Sequence, residues 1–111
     1  MDKDLIKLRL KSITNHIGYI IDDLKNISLE DFEKSDLYVR GTCFSLTQIG
    51  EQLTKLEPIF GKDYPEVPWK EAIKLRTLLV HVYNKVDAKQ IYKTAKNDLE
   101  NLREAILKIK V

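Results

Sequence analysis

Six apolar residues near the amino terminus, Ile6, Leu10, Ile13, Ile17, Ile20 and Leu24, follow one another at steps of four, three, four, three and four. That spacing lines one face of an α-helix, whereas a strand would turn alternate residues to opposite sides. It predicts a helix over about 3–25. A second stripe, Val39, Cys43, Leu46, Ile49 or Gly50, Leu53 and Leu56, predicts a helix over about 36–56. A third, Ile91, Ala95, Leu99, Leu102, Ile106 and Ile109, predicts a last helix ending near residue 108. Ser28 followed by Asp31 marks a short helix over 29–34. Pro58, Gly61, Pro65 and Pro68 interrupt the pattern, so 57–67 is expected as the main loop. Pro68 suits the first turn of a helix over 68–83, which Asn84-Lys85-Val86 would end. Asp87 and Gln90 have the spacing of a capping box. The expected fold is all-α: an antiparallel bundle of four main helices plus a short helix, in one domain over 1–111.

Gly50 stands inside the long central helix, where glycine costs about 1 kcal/mol relative to alanine. Close approach of another backbone would offset that cost. Composition narrows the setting. No apolar run reaches the roughly 18 residues of a membrane span, and the charged start, MDKDLIKLRLKS, lacks the apolar block of a signal peptide. The lone Cys43 sits in an apolar helix face and has no intramolecular disulfide partner, so a reducing cytoplasm is expected. Charge is uneven. Between Lys70 and Lys96 seven basic residues meet two acidic ones, a local +5, in a chain of net charge +2. A polyanion would be drawn there by its phosphates, unless the run is simply a solvated helix face.

Within the basic segment lies RTLLVHVY, residues 76–83, in which Arg76, His81 and Tyr83 interrupt an apolar run. Histidine moves protons near neutral pH, and the arginine fork matches phosphate oxygens. Together they form a minimal set for cleaving RNA through attack by its own 2′-hydroxyl. Geometry stands against a site within one copy: five residues along a helix turn Arg76 and His81 about 140° apart. Arg76 and Tyr83, seven apart, differ by only about 20°. Unwinding near His81 would unite the first pair, as would a two-fold dimer. The dimer is preferred, because one small bundle offers little concave surface. Each residue also has a plainer role open to it: Arg76 as an ion-pair partner of Glu51, His81 as a helix-end cap, Tyr83 as a core residue with its hydroxyl outside. His16 and His81 lie far apart with no carboxylate–histidine metal spacing around either, and there is no glycine-rich phosphate loop. Neither metal nor cofactor is expected.

Three landmarks in order, Ile49-Gly50-Glu51, Val67-Pro68-Trp69 and the Arg76, His81, Tyr83 motif, followed by Val86-Asp87, resemble the HepT-like branch of the HEPN superfamily. The resemblance covers most of the chain. It implies a homodimeric, metal-independent RNase toxin with Arg76 and His81 in a cleft between subunits. It also implies an MNT-type nucleotidyltransferase antitoxin that transfers AMP to Tyr83. Thr77 stands where the family usually has Asn, and Val82 where a small residue is common. On this reading Arg76 stabilises phosphate and His81 is the acid–base residue. Tyr83 accepts AMP and helps shape the site, Thr77 and Glu51 support it, and Lys74 and Lys85 contact the RNA backbone. The other reading is a non-catalytic helical binding partner of a nucleotidyltransferase.

Overall fold

The computed structural model describes residues 1–81 and 87–111; the side chains of Leu75, Thr77, Leu78, Val80 and His81 also lie outside the description. The described chain forms five helices, α1 (Lys3–Leu24), α2 (Leu29–Lys34), α3 (Asp36–Phe60), α4 (Trp69–His81) and α5 (Ala88–Leu107). Each start that carries a capping residue uses it. Asp2 accepts from the Asp4 and Leu5 amides, Ser28 from Asp31, and Ser35 from Tyr38. Ser35 closes α2 and opens α3 at once, so the two helices are joined without a linker.

The apolar stripes meet in one core. Ile13, Ile17 and Ile20 of α1, Leu53 and Leu56 of α3, and Phe32 of α2 are all at most 1% exposed. α1 packs on α3 and α5. Its early Arg9 donates from Nη1 to Gln52 Oε1 (2.8 Å), and its later His16 places Nδ1 3.0 Å from Ser45 Oγ. Residues advancing along α1 therefore meet residues receding along α3, and the two run antiparallel. Tyr92 near the start of α5 donates its hydroxyl to the Ile27 carbonyl just past α1 (2.8 Å). The Lys110 amide beyond the end of α5 donates to the Tyr64 hydroxyl just past α3 (3.1 Å). α5 thus runs alongside α3 and opposite to α1. The backbone of α4 lies against α3 and, among the described residues, comes close to that of no other helix.

Two expectations need correction. α3 does not stop at Leu56 but continues through Pro58 to Phe60. Proline removes one amide and crowds the preceding turn, yet it comes late in the helix. Phe60 is 8% exposed, and its burial holds the last turn in place. The loop is correspondingly shorter than 57–67; Val67 within it is buried, as is Trp69 at the start of α4, whose indole donates to the Tyr64 carbonyl (3.0 Å). The capping box at α5 is half built. Asp87 accepts from the Lys89 and Gln90 amides at 3.0 and 3.4 Å, but the Gln90 side chain reaches forward to Thr94 Oγ1 (3.4 Å). The expected end of α4, at Asn84-Lys85-Val86, lies outside the described residues.

His16 is one of two described titratable groups, with Cys43, whose pKa packing shifts. Its ring makes edge contacts with Tyr19 and Phe44, centroids 5.5 and 5.9 Å apart. Burial pushes its pKa below the ordinary 6.5. The unfolded chain then takes up this proton first as pH falls, so the contribution is intact above the unfolded pKa of 6.5 and is lost as pH drops through and below it. Chemical denaturation of wild type and His16→Asn across pH 5–7 (roughly the histidine range) should give a shallower fall in stability for the variant; equal slopes would refute the burial account. Ile17, wholly buried, offers the corresponding test of the core. Ile17→Ala should cost about 2–5 kcal/mol in the same denaturation measurement.

Candidate active site

Arg76 is held by α3 rather than by its own helix. A methyl group added to Gly50 would overlap Arg76 Cβ and would lie 2.8 Å from its Cγ and 3.3 Å from the Ala72 carbonyl oxygen. The aliphatic stem of Arg76 therefore occupies the space that any other residue at position 50 would fill. The approach expected at Gly50 is real, but a side-chain stem makes most of it. Alanine there would gain about 1 kcal/mol of helix propensity and lose about 1–3 kcal/mol to overpacking; the second term is larger, which explains a mid-helix glycine. Ala72, one turn before Arg76, keeps the same face of α4 small enough for the crossing.

Beyond the stem, Arg76 Nε lies 3.0 Å from Glu51 Oε1. The distance makes an ion pair, but the N–H is not aligned on that oxygen, and Nε finds no hydrogen-bond acceptor among the described residues. We read the contact as charge attraction without a formed hydrogen bond, since the separation is short and only the direction is poor. The Arg76 and Glu51 side chains are 24% and 36% exposed, while Nε itself is buried. A pair this open to solvent adds at most about 1 kcal/mol of stability. Its larger effect is on orientation: Nε, on the inner edge of the guanidinium, is turned to Glu51 on α3.

A concavity among the described residues lies elsewhere. A groove of about 430 Å³ runs between α4 and α5, floored by Leu46, Ile49 and Gly50 of α3. Glu66, Glu71 and Asp98 are among its lining residues. Ile49 and Glu51 lie on opposite sides of Gly50, each turned from it by about 100°. The groove therefore opens on one flank of the crossing and the Arg76–Glu51 pair on the other. The carboxylates in the groove disfavour an RNA backbone, so its depth does not make it the site of phosphate chemistry.

Of the expected site residues, the structure brings Arg76 and Glu51 together and leaves Lys74 exposed on α4. Tyr83 and Lys85 lie outside the described residues, as do the side chains of Thr77 and His81. The backbone of α4 is α-helical through His81. Unwinding before that residue is thus not the way Arg76 and His81 come together. Cys43 is buried, and its thiol pKa is raised by desolvation, as a core cysteine's should be. The seating contribution of Gly50 and Ala72 was only partly anticipated. Their signal is a pair of small residues on two helices, one of them flanked by an acid and the other a turn away from a lone arginine.

The family model described as "Ribonuclease HepT-like" matches residues 9–109. A protein of Caldanaerobacter subterraneus subsp. tengcongensis named "Putative RNase TTE0752" is 32% identical over 90% of this chain and 89% of its own length. The "Probable ribonuclease HepT" of Thermococcus cleftensis is 30% identical over 91% of this chain and 92% of its own. "Putative RNase MJ1216" of Methanocaldococcus jannaschii is 30% identical over 98% and 90%. No solved structure gives a significant match. With a family match spanning all five helices and the motif arginine seated on Gly50 and Glu51, the chain belongs to the ribonuclease HepT-like family.

Proposed function

We propose that this ribonuclease-family protein is an RNA-cleaving toxin that acts as a homodimer, without a metal, in a toxin–antitoxin pair of the HepT/MntA type. The observation that carries the reading is Arg76, partly exposed and pinned through its stem and Nε to α3, five residues before His81 on an unbroken helix. A regular helix keeps the two about 140° apart in one copy. A two-fold partner would supply the second half of the site, and this supports the dimer.

In the proposed cleavage His81 takes the proton of a ribose 2′-hydroxyl. The 2′-oxygen attacks phosphorus and the bond from phosphorus to the 5′-oxygen breaks. The His81 of the second copy protonates that leaving oxygen. One fragment ends in a 2′,3′-cyclic phosphate and the other begins with a 5′-hydroxyl. Arg76 neutralises charge gathering on the phosphoryl oxygens, its Nη pair offering two parallel donors. Thr77 supports the site, and Lys74 and Lys85 meet flanking phosphates. Tyr83 is the acceptor for an MNT-type nucleotidyltransferase antitoxin: its phenol oxygen attacks the α-phosphorus of ATP, pyrophosphate leaves, and AMP remains on the ring. The new phosphate places negative charge near Arg76 and repels RNA.

Purified wild type should cleave RNA in the presence of EDTA and leave cyclic phosphate ends. His81→Ala should lower the rate by about 10²–10⁴-fold, the usual worth of general acid–base catalysis. Incubation with the nucleotidyltransferase and ATP should add the mass of AMP to wild type but not to Tyr83→Phe. Absence of cleavage by folded, unmodified dimer would instead favour a non-catalytic partner of the nucleotidyltransferase.

A further inference from the structure

The motif arginine sits on α4, but nearly everything that orients it belongs to α3. Its Cβ and Cγ fill the space left by the missing side chain of Gly50, and Glu51, the next residue along, holds Nε at 3.0 Å. An arginine side chain has four rotatable bonds and on an open helix surface would sample many rotamers. Here the stem is confined between two helices and the charged end is tethered on one edge. We propose that Gly50 and Glu51 are positioning residues: α3 sets the direction in which Arg76 presents its Nη edge, and α4 only carries it. Lost rotamer entropy is then removed before substrate arrives, and the donors wait where charge develops during the reaction. This rests on the reading that Arg76 contacts the reacting phosphate.

The two residues do different jobs. Gly50 sets how closely the stem may approach, and no side chain can replace it without moving α4. Glu51 sets the rotation of the guanidinium through charge, so removing the charge while keeping the shape should free that rotation and leave the helices in place. Lysine at position 76 would lose the arrangement altogether, having no Nε–H edge to give to Glu51 while keeping a second edge for phosphate.

Glu51→Gln is the informative variant, because it keeps the side-chain shape and leaves the Gly50 contact untouched; Gly50→Ala is the companion. The free protein is read first, by the ¹H–¹⁵N signal of the Arg76 Nε–H, assigned by its loss in Arg76→Lys. Wild type should show a signal protected from exchange with solvent, and Glu51→Gln should lose that protection while the backbone spectrum is retained. RNA cleavage is read second. Glu51→Gln should lower kcat by about 10–100-fold, the scale of a misplaced reacting group, with KM changed much less, and Glu51→Asp should recover part of it. Adding Glu51→Gln to Arg76→Ala should cost nothing further. Retained protection together with wild-type kcat in Glu51→Gln would overturn the proposal, and so would losses that add in the double variant. If wild type cleaves no RNA, the RNase reading fails on its own, and the Nε–H signal alone then decides: lost protection in Glu51→Gln supports positioning by α3, and retained protection overturns it.

Discussion

Everything near the candidate site depends on how closely α4 can lie on α3. The limit is set at Gly50, where Arg76's stem fills the space of an absent side chain. From that one crossing follow the reach of the Arg76 guanidinium to Glu51 on one flank and the groove between α4 and α5 on the other. A bulkier residue at 50 would lift α4 and alter both flanks together. The glycine is therefore a constraint on tertiary geometry, although it lies in a helix whose local propensities disfavour it.

Most of the fold was legible in the sequence, because burial of helix faces leaves a periodic record. The stripes on α1, α3 and α5 became the core almost residue for residue, from Ile13 and Ile17 to Leu99 and Ile106. What local pattern could not show is where distant packing overrides it. Pro58 reads as a helix end, yet buried Phe60 carries α3 past it. Gln90 has capping-box spacing but turns its amide to Thr94, so that only Asp87 caps α5.

The site was legible as chemistry more than as geometry. The motif named Arg76, whereas the side chain of His81, which helical spacing turns to another face, lies outside the described residues. An ion pair between Arg76 and Glu51 looked at first like a structural alternative to a functional arginine. The two are compatible, since a partly exposed pair contributes little energy while still fixing direction. Charge counted along the chain was a poorer guide to surface shape. The segment from Lys70 to Lys96 is basic overall, yet Glu66, Glu71 and Asp98 are the charged residues that line the groove between α4 and α5. Summed charge describes a segment; the side to which each residue is turned decides what a ligand meets.

α4 is attached to the rest of the described bundle through a single neighbour, with Trp69 buried at its start and Leu79 buried further along. Helices α1 and α3 are each gripped from more than one side and cannot loosen without exposing the whole core. α4 differs: its described backbone lies close to α3 alone, so the contacts among the other helices do not depend on it. The motif arginine is thereby carried on a helix placed by one described neighbour, so a shift of α3 reaches Arg76 without passing through the rest of the bundle.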